Sequence, residues 1–147
     1  MMEKDIREGM KLGRTCEGTV FEVVATLLIV IMWATSAWLV SHRSVDIEQQ
    51  VINCGMATAT VLVMLFTAYR PGLINFPVVI TTPAQLRLLV RLERIAALEV
   101  IAMFFGVNLA MALDGSDKTL LAVVMVISAV ILATMVCGAF MINKRGN

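Results

Sequence analysis

Glu99 and Asn108 are the residues of this chain whose chemistry conflicts most with their surroundings. Both lie in the run 95–113, which is otherwise apolar. An ionisable side chain in such a run is costly in hydrocarbon and is by default a functional candidate, able to exchange a proton or pair with a cation. Glu99 follows Arg94 by about one turn, so the structural alternative is snorkelling or pairing with an arginine. Glu22, at the start of an earlier apolar run, is the second carboxylate candidate and reads as interfacial. Nine residues separate Glu99 from Asn108, and ~900° of helical rotation sets them on opposite faces, so the two do not form one site unaided.

Arg87, Arg91 and Arg94 recur at i, i+4 and i+7 and share a helix face. A basic stripe of this kind either fixes topology by touching lipid phosphates or offers a docking surface to an acidic partner. Cys16, Cys54 and Cys137 are scattered, His42 is the single histidine, and no grouping follows metal-ligand spacing. No metal and no cofactor are therefore expected. Cys16 sits where a juxtamembrane thiol could be acylated, but an ordinary free thiol is the preferred reading. A membrane enzyme needs several convergent polar groups or a metal site, and neither pattern is present. A net charge of +1 argues against nucleic acid as a partner.

These residues must be positioned by four apolar stretches. The chain is 59% hydrophobic and 16% charged, against about 25% charged residues in a soluble domain. Candidate spans cover 20–40, 51–69, 95–113 and 119–142, each close to the ~20 apolar residues that cross ~30 Å of hydrocarbon. Lys and Arg distribute unevenly between their flanks. Lys4, Arg7, Lys11 and Arg14 precede the first span, Arg70, Arg87, Arg91 and Arg94 occupy the central loop, and Lys144 and Arg145 follow the fourth. Those ten share one side; Arg43 and Lys118 share the other. The bias predicts both termini in the cytoplasm. A cleavable signal sequence ending near Ala34-Thr35-Ser36-Ala37 is the rival reading of the N-terminus. Glu3, Asp5, Glu8 and Glu17 in the tail, and continued hydrophobicity through Trp38-Leu39-Val40, favour retention as a membrane helix.

Arg70-Pro71-Gly72 ends the second helix, and 77–80 reads as a short extended segment. Thr82 as N-cap, Pro83 at the first helical position and Gln85 as reciprocal partner then start a third helix. Nothing breaks it before Leu113, so it extends the third span by residues 83–94 into the cytoplasm. Asn53 and Thr58 are placed to hydrogen-bond to a neighbouring helix, contacts worth ~0.6–2 kcal/mol. Gly55/Ala59, Gly106/Ala110, Ala129/Ala133 and Thr134/Gly138 are small pairs at four-residue spacing that suit close helix contacts in a bundle or a homodimer. Met125, Met135 and Met141 read as packing or lipid-facing filler.

Residues 68–105 resemble a stretch of a family of bacterial multi-pass membrane proteins related to SdpI, the immunity protein against a secreted toxin. The features that carry the resemblance are Tyr69, Pro71, Asn75-Phe76, Pro77-Val78, Thr82 and the helix from Pro83. The family's outer-loop His-x-Asn-x-x-x-Gly motif is not matched: residues 41–50 stand in its place, with His42 alone. The resemblance implies a bacterial cytoplasmic (inner) membrane location and a role through protein contacts. Phe21-Glu22-Val23-Val24 is similar to the first helix of the small multidrug exporters, which lack such a tail and central loop. The sequence thus predicts a single membrane domain, an all-α four-helix bundle with both termini inside. Its surroundings are the lipid bilayer, with a membrane protein partner or a second copy as candidate contacts. The expected function is non-enzymatic, in immunity, signalling or scaffolding; a small proton-coupled transporter is the alternative.

Overall fold

The computed structural model describes residues 15–43, 45–73, 80–113 and 117–144. Within them lie four long helices: α1 (Cys16–His42), α2 (Ile47–Tyr69), α3 (Pro83–Leu113) and α4 (Asp117–Lys144), with one 3₁₀ turn at Pro71–Leu73. Each is long and apolar enough to cross a membrane.

Capping explains why the helices begin in polar sequence outside the apolar runs. The Thr15 side chain accepts from the Gly18 amide at 3.1 Å, and Asp46 accepts from the Glu48 amide at 3.2 Å. At α3 the expected reciprocal box is present. Gln85 N donates to Thr82 Oγ1 at 3.3 Å, and Gln85 Oε1 accepts from the amides of Thr82 and Thr81 at 2.9 and 2.8 Å. Residues 77–79 of the expected extended segment lie outside the described residues, as does the N-terminal tail through Arg14.

α3 is the centre of the molecule. It packs against α1, α2 and α4, whereas α4 has α3 as its one extensive neighbour among the described residues. The burial pattern follows. α1 buries a stripe at Gly18, Ala25, Met32, Ser36 and Leu39, and α2 one at Gln50, Cys54, Ala57, Val61 and Ala68. Steps of three, four and seven residues keep each stripe on one side, as in left-handed membrane bundles. α3 is instead buried on several faces, including Leu86, Leu89, Ala96, Ala97, Ile101 and Asn108.

Three apolar clusters follow one another along the bundle. Ile80, Leu86, Leu89 and Leu92 pack with Ile142 where α3 begins and α4 ends. Ala25, Val61, Ala97 and Ile101 join α1, α2 and α3 further along. Met32, Cys54 and Ala57 pack with Phe104 and Phe105 towards the α1–α2 turn. The alanines matter because helices in lipid associate by close packing rather than by a hydrophobic drive. Small residues serve α3–α4 in the same way. A Cβ on Gly106 would meet Val123 at 2.9 Å, and one on Gly138 would fall inside the Leu92 side chain. Gly55 differs from the expectation of a close contact, since nothing lies within 4 Å of it.

Much of the outward surface is apolar, with Phe140, Leu132, Met125 and Leu121 on α4 and Val63 and Leu62 on α2 all exposed. This is the surface that lipid solvates.

Candidate functional site

The buried polar groups form a network between three helices. Asn108 of α3 has no solvent exposure. Its Nδ2 donates to Ser36 Oγ of α1 at 2.8 Å and lies 3.4 Å from Cys54 Sγ of α2. Asn53 of α2 donates through Nδ2 to Asn108 Oδ1 and to the Phe104 carbonyl at 3.3 Å. Ser36 Oγ and Cys54 Sγ are 3.0 Å apart. Close by, Trp33 Nε1 donates to Thr58 Oγ1 at 3.1 Å, and Thr58 in turn donates to the Cys54 carbonyl at 2.7 Å. In hydrocarbon there is no water to replace a missing partner, so an asparagine here must be matched by side chains of its neighbours. The expectation that Asn53 and Thr58 bond across helices is met. Nothing in the sequence marks Ser36 and Cys54 as their partners.

Glu99 faces the other way. Its Oε1 accepts from Thr134 Oγ1 of α4 at 2.6 Å, while Oε2 is buried with no partner among the described residues. The opposite-face placement of Glu99 and Asn108 is therefore realised as contacts to different neighbours, α4 for one and α1 with α2 for the other. Thr134, whose spacing suggests a small packing residue, is the donor that receives Glu99. Glu22 also has one buried carboxylate oxygen, Oε1, without a partner among the described residues. No hydrogen bond or ion pair among the described residues joins Glu22, Glu99 and Asn108 to one another. A further carboxylate, Glu93, carries no signal in the sequence; it accepts from Thr67 Oγ1 at 3.0 Å.

The three arginines diverge. Arg87 is exposed. Arg91 is exposed and pairs with Glu17 at the start of α1. Arg94 is only 6% exposed. Its guanidinium carbon lies 5.6 Å from the centre of the Tyr69 ring, and a Cβ on Gly18 would sit 2.6 Å from its Nη2. Gly18 thus gives the guanidinium room against α1, and the Tyr69 ring offers its negative face. The shared face predicted by spacing is covered by α1 at its Arg94 end, because the first turn of α1 packs there.

Among the described residues no three His, Cys, Asp or Glu side chains come together as a metal set. Trp38 stacks on His42 with ring centres 5.0 Å apart, and His42 Nδ1 lies 3.0 Å from the Trp38 carbonyl. These contacts close the end of α1 locally.

Four helices of this length and apolarity define the class: an all-α, multi-pass membrane protein. No protein-family model, no curated protein and no solved structure matches the chain.

Proposed function

We propose that this is a non-enzymatic integral membrane protein of SdpI-like character that acts through protein contacts, in immunity, signalling or scaffolding. The observation that carries the reading is Asn108: a fully buried polar side chain is committed to Ser36, Asn53 and Cys54. A polar group bonded on both sides of its amide holds helices together and leaves little for a passing solute. The reading places the chain in a bacterial inner membrane with both termini in the cytoplasm, on the ten-to-two division of Lys and Arg. It also places residues 83–94 beyond the hydrocarbon. α3 has 31 residues, roughly 46 Å at 1.5 Å each, against ~30 Å of hydrocarbon. Arg87 and Arg91 then stand on the cytoplasmic side as the surface for a partner or for lipid phosphate. The test is purification from mild detergent with and without Arg87→Glu and Arg91→Glu. A stoichiometric partner that is lost from the double variant supports the reading; its absence from the unaltered protein counts against it.

One observation favours a second reading, a small proton-coupled transporter. Glu99 keeps a buried carboxylate oxygen without a partner among the described residues, and such a group is suited to carrying a proton. Glu99→Gln separates the two. Glutamine retains a bond to Thr134 but cannot release a proton. The contact reading expects unchanged assembly and no change in proton flux in reconstituted vesicles. Substrate-dependent acidification that stops in Glu99→Gln would establish transport instead.

A further inference from the structure

Gln50 is a buried side chain whose two polar atoms both go uncompensated among the described residues. It is 1% exposed, and neither its Nε2 nor its Oε1 has a hydrogen-bond partner among the described residues. One turn along α2, Cys54 is engaged by Ser36 and Asn108, so the polar network stops just short of Gln50. An amide buried without partners is disfavoured unless something else supplies them. Beside it a cavity of about 300 Å³ opens between α1 and α2, and Gln50 and Ser36 both line it. Trp33, Val40, Ile47 and Val51 form apolar walls. Ile47 and Val51 are more than half exposed, at 62% and 52%. The crevice therefore opens on the outer flank of the α1–α2 hairpin, where the two apolar runs meet their connecting turn. None of the side chains that line it is charged.

We infer that this crevice binds a neutral amphiphile whose polar end carries a hydrogen-bond donor beside an acceptor, as a carboxamide does. A glutamine amide presents an N–H and a carbonyl side by side, and its complement is the same pair reversed. A charged head would be desolvated with nothing to balance it. The apolar body lies along Val40, Ile47 and Val51 and continues out of the open flank. At this volume, near the small end of ligand pockets, the cavity encloses the head and the first few carbons. The Gln50 amide atoms are themselves covered. Bringing their edge to an occupant takes a change of the inner side-chain torsions to another staggered rotamer. A bilayer lipid and an amphiphile arriving from water share this chemistry. The inference stands apart from the contact role proposed above.

Trp33 supplies the readout. In Trp38→Phe it is the one remaining tryptophan of two. The full chain in mild detergent is titrated with a brominated long-chain primary amide and, separately, with the bromoalkane of equal length. Saturable quenching of Trp33 is expected, with the amide binding at least tenfold more tightly. Gln50→Leu should erase that preference while keeping or raising the melting temperature, because it removes an unmatched polar group. Val51→Phe, on the exposed wall, fills the crevice and should abolish saturable quenching; it decides the matter if Gln50→Leu does not fold. Equal quenching by amide and alkane overturns the inference, as does an undiminished amide preference in either variant. Tight binding of a six-carbon brominated amide identifies a ligand from water, whereas binding confined to the long chain identifies a lipid.

Discussion

Asn108 and Glu99 sit on one helix and meet their polar requirements in different ways. Asn108 uses donor and acceptor together, so its removal strands groups on two other helices. Asn108→Ala should cost about 1–3 kcal/mol, the scale of leaving buried partners unmatched, measured by reversible unfolding in mixed SDS and mild detergent micelles. Adding Asn53→Ala should cost less in that background than alone, since the two side chains share one network. Additive losses would show that the network is not a unit. The sequence carries half of this site. Asn53, Thr58 and Asn108 are recognisable because an amide or hydroxyl in an apolar run must find a partner. Ser36 and Cys54 are not, since small residues are common in membrane helices. Their role depends on the rotation of α1 and α2 about their own axes relative to α3, which composition does not record.

At the scale of elements, the glycines test how α4 is held. Gly138 lies against Leu92 and Gly106 against Val123, whereas Gly55 faces open space. Gly138→Val should displace α4 from α3 and destabilise the protein by about 1–3 kcal/mol, as overpacking does. The displacement would be read as a longer spin-label distance between the two helices. Gly55→Ala should instead be neutral or stabilising by up to ~1 kcal/mol, since a helical glycine gives way to a better helix former. A large loss there would reveal a contact that the isolated chain does not display. Small-residue spacing alone ranks Gly55 with Gly106 and Gly138, because it registers where helices are able to approach and not where they do. The four helices themselves are legible from hydropathy. Their ends are less so at α1 and α2, where Thr15 and Asp46 start helices four residues ahead of the apolar runs at 20 and 51. The start of α3 is legible, because Thr82 and Gln85 form the box that their spacing implies.

For the molecule as a whole, orientation is the property that the proposed role most depends on. Cys16 is exposed at the start of α1, Cys137 is exposed on α4, and Cys54 is buried. In a Cys137→Ser background, a membrane-impermeant thiol reagent should modify Cys16 only after cells are opened. Modification in intact cells would reverse the orientation and move Arg87 and Arg91 to the outside. The architecture is uneven in this respect: α1, α2 and α3 are tied by a shared polar network, and α4 is joined through α3.

That unevenness has a consequence during synthesis. α4 leaves the ribosome after α3, and until it arrives Glu99 lacks the Thr134 hydroxyl and the cover of its neighbour. A chain stalled after α3 presents an unmatched carboxyl group to lipid, where such a group is costly. Docking of α4 and concealment of that group are one event, so a bundle with α4 in place differs from one without it by a carboxyl group that lipid can reach.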